Sequence, residues 1–443
     1  NEKEITIKSS LVDQNLASFF GRVNYKLMDR YMLTASLRAD GSSVFAPGKK
    51  WGYFPSVALA WRINEENFLK NVDAISNLKL RLSWGQSGQC AIDPYQTVGL
   101  LGNSTYSFNN EGAYGFYPKT MSNKELTWET TTQYNLGLDF GFFNNRISGS
   151  IDIYKAETRD ILMNRVIPSI NGYASVMENI GKTESTGVDL TLSTVNIQNK
   201  NFSWFSDFSL SHNREKIKEL ASGQLKDEAN AWFVGEPFKV FYDYKKEGIW
   251  QLGEEAAAAA NGQEPGDIKV QDVDGNGVIT TDDRIIYSQR PDVTFGFNNT
   301  FNYKGFDLSV FLYARLGQWI AYDYNTTYRI NALENGGNVD YWTPENPTNA
   351  FPRPNKSKSY TQVTYYSTLK YEDGSFFKIR DITLGYTFKP ELLKHLNLSR
   401  LRVYATAKNF FTFSKIDNYD PEQGGSISFP MTKQLVFGLN VEF

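Results

Sequence analysis

An alternation of apolar and polar residues with period two recurs along this chain and narrows what it can fold into. In Tyr134–Phe142, one face carries Tyr134, Leu136, Leu138, Phe140 and Phe142; the other carries Asn135, Gly137, Asp139 and Gly141. Val293, Phe295, Phe297, Phe301 and Tyr303 oppose Thr294, Gly296, Asn298, Thr300 and Asn302 in the same way. Leu308, Val310, Leu312 and Ala314 oppose Asp307, Ser309, Tyr313 and Arg315; Ile382, Leu384, Tyr386 and Phe388 oppose Asp381, Thr383, Gly385 and Thr387. Further segments start near Leu16, Tyr31, Tyr53, Leu78, Arg146, Gly187, Phe202 and Leu401. Successive side chains on a strand point to opposite sides, so each segment reads as a strand with two unlike faces. There are about 13 or 14 of them, each roughly 9–13 residues long, the length a tilted strand needs to cross a bilayer.

The polar face separates a membrane barrel from a soluble sandwich. A sandwich presents long charged side chains to water, whereas here the polar face is mostly Gly, Ser, Thr, Asn and Asp, which suits a crowded lumen. No stretch approaches the ~18 consecutive apolar residues of a membrane helix. A mean hydropathy of −0.44 does not exclude a barrel, whose alternating strands average to a hydrophilic chain. Aromatic residues make up 15% of the chain, a content that soluble domains can reach and that barrels with aromatic girdles at two membrane interfaces reach routinely. The net charge of −3 argues against a nucleic-acid partner, and the single Cys90 allows no intrachain disulfide. The expected fold is an all-β, transmembrane, antiparallel β-barrel.

Short and long connections alternate, as they do at the two rims of such a barrel. Asn144-Asn145 and Lys304-Gly305 read as tight hairpin turns. Long irregular stretches are expected over Gln89–Lys124, Asp160–Asn179, Glu215–Pro291 and Gly317–Asp373, with a short helix around Glu254–Ala260. No basic segment followed by an apolar core opens the chain, which reads as part of a longer protein. At the other end, Leu435, Phe437, Leu439, Val441 and Phe443 share one face. An apolar edge strand is an aggregation hazard in a soluble protein, and closure of a barrel removes it. An alternating final strand that ends in Phe443 also resembles the signal read by the bacterial outer-membrane assembly machinery; a chance terminal strand of a soluble β-protein is the other reading.

One motif carries chemistry. In Asp272–Asp283 (DVDGNGVITTDD), Asp272, Asp274 and Asn276 fall at positions 1, 3 and 5 of a calcium loop. Gly277 takes position 6, where the turn is sharp; Val278 offers a carbonyl at position 7 and Asp283 a carboxylate at position 12. Hard Ca²⁺ takes six to eight oxygens, which this spacing brings together. No flanking helices are evident, and an Asp/Gly-rich turn that binds nothing is the other reading. Nothing else in the chain points to catalysis. The carboxylate pairs Glu65-Glu66, Glu254-Glu255 and Asp282-Asp283 are sequence neighbours, which does not set them across a cleft; two histidines, His212 and His395, leave little room for His-based catalysis or a zinc site, and His212 lacks a Ser or Cys nucleophile nearby. Trp232, Trp250, Trp319 and Trp342 are weak candidates for stacking on a sugar or peptide ligand, against the plainer reading of loop packing.

Several long segments together resemble the SusC-like TonB-dependent transporters of Bacteroidetes. They are LASFFGRVNYKLMDRYMLTASLRADGSSVF (Leu16–Phe45), WGYFPSVALAWRI (Trp51–Ile63), NLKLRLSWGQSG (Asn77–Gly88), LTWETTTQYNLGLDFGFFNNRISGSIDIYK (Leu126–Lys155), and GDIKVQDVDGNGVITTDDR with PDVTFGFNNTFNYKGFDLSVFL between Gly266 and Leu312. FFKIRDITLGYTF and LRVYATAKNFFTFSKIDNYDPE follow. The resemblance implies that residues 1–443 are the C-terminal part of a barrel of 22 strands, with about 14 of them here and the plug and TonB box elsewhere. It further implies an outer-membrane location, a SusD-like surface lipoprotein as lid, pairing of such complexes into dimers, energisation by TonB, and oligosaccharides or oligopeptides as cargo. The competing expectation from the residues alone is a secreted, β-rich, calcium-dependent carbohydrate-binding protein or adhesin.

Overall fold

The computed structural model describes residues 11–443 apart from 174, 332 and 394–396. Its centre is one 13-stranded sheet in which every strand pairs antiparallel with its sheet neighbours. We number these strands β1 (Leu16–Leu27), β2 (Tyr31–Ser42), β3 (Trp51–Arg62), β4 (Ile75–Gln89), β5 (Glu129–Phe142), β6 (Ile147–Val166), β7 (Ser175–Gln198), β8 (Phe202–Glu219), β9 (Val293–Tyr303), β10 (Phe306–Leu316), β11 (Phe376–Thr387), β12 (Arg400–Ser414) and β13 (Gln434–Glu442). The order in the sheet is the order in the chain, with thirteen strands where the periodicity gave about 14. Among the described residues the sheet is open, and β1 and β13 each pair on one side only.

The registers place the two faces as the alternation requires. Leu308 lies opposite Leu384 and Phe301, and Leu312 opposite Phe297, so large apolar side chains stack in rows across strands. Many of these stay open: Leu136, Ile153, Leu384 and Leu439 are all exposed. Leaving so many side chains in water would cost about 1.5–3 kcal/mol each, so this face is built for lipid. On the opposite face the rows are polar and mutually bonded. Arg81 bridges Asp139 (2.8 Å) and Asp152 (2.9 Å), and Ser309 donates to Asn298 (3.0 Å).

On one rim four of the six connections are tight turns of two to four residues, while β3–β4 and β11–β12 are each joined by 12 residues. Lys304 and Gly305 both take positive φ (47° and 93°), as a two-residue hairpin of type I′ demands. At the β5–β6 turn the left-handed run is Phe143, Asn144 and Asn145, one residue longer than the Asn pair suggested. On the other rim the expected loops are less irregular than the sequence implied. Residues 89–124 contain a hairpin of Leu101–Phe108 with Glu111–Pro118. The stretch from Asp160 to Asn179 is largely strand, because β6 and β7 continue to Val166 and start at Ser175. β6, β7 and β8 reach 20, 24 and 18 residues. At ~3.3 Å per residue they stand well clear of a bilayer of ~30 Å.

Among the described residues the largest buried apolar cluster lies in the long loops rather than in the wall. Ile249, Ile268 and Val270 from the loop after β8 pack with Tyr328, Trp342 and Leu369 from the loop after β10. The helix expected near Glu254 forms over Glu255–Ala260. A second cluster joins Val44, Phe45, Phe54, Leu126 and Trp128 beneath the loops after β2 and β4. The long loops therefore form a packed cap above the wall.

Candidate functional site

The acidic loop is tied into this cap. Ile279 packs against the main loop core, and its N–H donates to Asn261 Oδ1 (3.0 Å) at the end of the short helix. Within the loop the carboxylates organise the backbone. Asp272 accepts from the N–H groups of Gly275 (2.8 Å) and Gly277 (2.7 Å). Gly275 and Gly277 both take positive φ (72° and 84°), which a side chain would strain. Asn276 Oδ1 accepts from the Val278 N–H (2.8 Å), while its amide donates to Asp274 (2.8 Å).

Asp283 closes the loop. It is fully buried and accepts from the N–H of Val273 (2.8 Å) at one end and of Thr280 (2.7 Å) at the other. The Thr280 N–H, followed by that of Val273, holds its carboxyl below the usual carboxylate range. Thr280 also caps the single helical turn Thr281–Asp283. The sequence reading passed over Thr280, although Thr three residues before Asp is a capping signal. Asp272, Asp274 and Asp283 each offer a carboxylate oxygen, and these atoms lie within 4.8 Å of one another. Asn276 and Val278, also named from the spacing, sit on the exposed side of the same loop.

The four tryptophans sit in two kinds of surroundings. Trp250 and Trp342 are buried, and their indole N–H groups donate to Gln263 (2.6 Å) and Gln251 (2.9 Å). The Lys269 ammonium lies over the Trp250 ring at 4.7 Å. Both rings are used inside the cap and offer no free face. Trp232 packs edge-on to Phe238 and Trp319 edge-on to Tyr287, and both are half-buried. Periodicity carries no information about loop burial, so sequence alone could not separate these four.

No acid–base couple emerges from the carboxylate pairs. Glu65 pairs with Arg62 (2.8 Å); Glu66 takes Arg30 (3.1 Å), Tyr31 (2.6 Å) and Trp61 (3.0 Å); Glu254 takes Lys269 (2.9 Å). The His212 ring meets the Asp292 carbonyl (2.7 Å), and His395 lies outside the described residues. One polar centre had no sequence signal at all. Lys378 on β11 is fully buried and donates to Asp420 (2.6 Å) and Glu422 (2.8 Å) from the last long loop. Phe443 follows the end of β13, with its side chain 93% exposed.

An alternating wall, one rim of tight turns and one rim of packed loops are the parts of an outer-membrane barrel. The family model for the β-barrel of TonB-dependent receptors matches residues 6–410. The chain belongs to that family. This TonB-dependent receptor segment is 35% identical to TonB-dependent receptor P26 of Formosa agariphila, over 97% of this chain and 46% of that protein. It is also 35% identical to the receptor SusC of Bacteroides thetaiotaomicron, over 97% of this chain and 44% of that protein. The chain thus spans about half the length of the curated relatives it matches. Among solved structures, the RagAB peptide transporter superposes with a TM-score of 0.80 at 28% identity, covering 97% of this chain and 48% of the other. Receptors of this SusC-like type are outer-membrane proteins of Gram-negative bacteria, which agrees with the exposed apolar face of the wall.

Proposed function

We propose that this chain is the wall and extracellular cap of an importer that is energised through TonB and works with a SusD-like surface lipoprotein. The missing wall strands and the plug belong to the rest of a longer receptor, and the receptor–lipoprotein pairs associate as dimers. The cargo is an oligopeptide or an oligosaccharide. The observation that carries this reading is the match over 97% of the chain both to SusC and to the RagAB transporter. The bonded polar inner face, with Arg81, Asp139 and Asp152 in one network, supports a polar lumen that faces the plug and water rather than an apolar core. A secreted adhesin is disfavoured because Leu136, Ile153, Leu384 and Leu439 lie open on one face of the wall. Deleting the gene is expected to abolish uptake of one labelled cargo class, and deleting tonB is expected to have the same effect. Unchanged uptake of both peptides and oligosaccharides would refute the assignment.

Two features of the chain serve this machine. The acidic loop holds calcium through Asp272, Asp274, Asn276, the Val278 carbonyl and Asp283. The ion would stiffen the cap without taking part in transport chemistry. Support comes from the three convergent carboxylates, which repel one another unless a cation lies between them. Replacing Asp272 and Asp274 together by Ala is expected to lower bound calcium from about one equivalent to none by elemental analysis. Metal content equal to that of the parent protein would remove the claim. Phe443 serves as the assembly signal at the end of β13. Its deletion should leave most of the chain outside the heat-modifiable folded fraction of the outer membrane; normal insertion would show that the terminal residue carries no signal.

A further inference from the structure

On β6, β7 and β8 the outward face does not stop where its apolar band stops. Along β6 the outward positions run Ile147, Ile151 and Ile153, and then Lys155, Glu157 and Arg159. Along β7 they run Leu192, Leu190 and Val188, and then Thr186, Glu184 and Lys182. Along β8 they run Phe208, Leu210 and His212, and then Arg214, Lys216 and Lys218. The registers align these changeovers: Ile153 faces Val188, which faces His212, and the next outward row is Lys155, Thr186 and Arg214. The change from apolar to cationic therefore falls on one hydrogen-bonded row across three strands, on the side of the long loops.

The charges are arranged around two carboxylates. Glu184 takes Lys155 (2.9 Å), Lys216 (2.9 Å) and Lys218 (3.8 Å). Glu157 takes Arg159 (2.6 Å) and Lys182 (3.4 Å). Arg214 has no carboxylate partner among the described residues, and Glu219 lies opposite Lys182 at the top of the patch. Six cations thus face three carboxylates, leaving the patch positive. Below it, Leu82, Tyr134, Leu136, Ile153 and Val188 line a shallow groove of about 430 Å³, with Lys155, His212 and Arg214 at its cationic end. Elsewhere the outward residues near this rim are aromatic: Tyr53 on β3, Trp84 on β4, Phe295 on β9, and Phe377 and Phe413 on β11 and β12. Among the described residues, the basic rows of β6–β8 contrast with these aromatic positions.

We infer that the outward face of β6–β8 binds a phosphate-bearing lipid of the outer leaflet, with its acyl chains along the groove and its head group on Lys155, Arg214, Lys216 and Lys218. Height fixes the occupant. Lys155 and Arg214 lie eight and twelve residues along their strands from Ile147 and Phe202 at the tight-turn rim. At ~3.3 Å per residue and a tilt near 45°, that puts them roughly 20–30 Å up, the top of an apolar band ~25 Å tall. Cations at that level meet head groups, and the apolar groove directly beneath meets chains. Each Lys or Arg near an anionic lipid surface strengthens binding about fivefold.

The test uses the complete receptor in phosphatidylcholine nanodiscs, with or without bis-phosphorylated lipid A, and native mass spectrometry to titrate retained lipid. Arg214→Gln/Lys216→Gln/Lys218→Gln should weaken lipid A retention on the order of a hundredfold. Because that variant strips partners from Glu184, Lys155→Gln/Arg214→Gln, which leaves Glu184 paired with Lys216, is the second probe, with an expected loss of about twenty-five-fold. Dephosphorylated lipid A should bind no better than phosphatidylcholine. Equal retention by the parent and both variants would overturn the inference, as would equal retention of the dephosphorylated lipid. So would a photo-cross-linking residue at position 218 that captures a protein instead of lipid in cells.

Discussion

Lys378→Ala is expected to destabilise the extracellular rim by about 3–5 kcal/mol, because it leaves two largely buried carboxylates without their cation. All three ammonium hydrogens are used: by Asp420 Oδ2 (2.6 Å), Glu422 Oε2 (2.8 Å) and Met431 Sδ (3.5 Å). Asp420 is committed twice more, to the Thr412 hydroxyl (3.1 Å) and to the Glu422 N–H (3.0 Å) that starts a short helical turn. The centre therefore fastens the loop between β12 and β13 onto β11. Denaturant titration of the complete receptor in detergent would read the loss, and hydrogen exchange over residues 415–433 would locate it. A change under about 1 kcal/mol would mean that the pair behaves as a surface bridge. Removing the charges as a set, by Lys378→Met with Asp420→Asn and Glu422→Gln, should recover much of the loss, since the penalty comes from the orphaned carboxylates.

This centre also shows where sequence reading stops. The wall was legible because the bilayer imposes a pattern: one face must be apolar, so β5, β9, β10 and β11 declare themselves by alternation. The same argument accounts for what was missed. Above the bilayer both faces of a strand are wet, and the constraint disappears. Residues 175–186 of β7 are strand, yet they carry Lys182, Glu184 and Thr186 on the outward side, so the periodicity gave a start near Gly187. β6 was cut short for the same reason.

In the cap, spacing sufficed where the chemistry is local and failed where it is not. Asp272, Asp274 and Asp283 come together as the loop pattern requires, because three residues within twelve fix one turn. Lys378 and Asp420 are 42 residues apart, and nothing near either announces the other. The burial of Trp250 and Trp342 was illegible for a related reason. Trp342 donates to Gln251, 91 residues away, and only the packed loops show that its ring is enclosed.

Leu192 and Ser193 are adjacent on β7 and test the assignment of the two faces. Leu192 lies beside Gly149 and Phe208 on the apolar side. Ser193 donates to Asp207 (2.6 Å) on the polar side. Six residues separate Leu192 from the tight-turn end of its strand at Gln198. At ~3.3 Å per residue and a tilt near 45° it stands about 14 Å up, close to the middle of the apolar band. Leu192→Arg should therefore cost about 2–4 kcal/mol in a lipid bilayer, the cost of a charge at the midplane. Ser193→Arg puts the same side chain in an aqueous lumen beside Asp207, where one lost hydrogen bond of about 1 kcal/mol is offset by the new ion pair. Urea titration of the complete receptor in phosphatidylcholine vesicles separates the two. Equal effects, or a larger loss at Ser193, would mean that the apolar rows pack against protein rather than lipid, and the barrel reading would fail with them. The sign of the difference decides the matter because the two substitutions share a strand, a height and a side chain, and differ only in the side of the sheet on which the charge is placed.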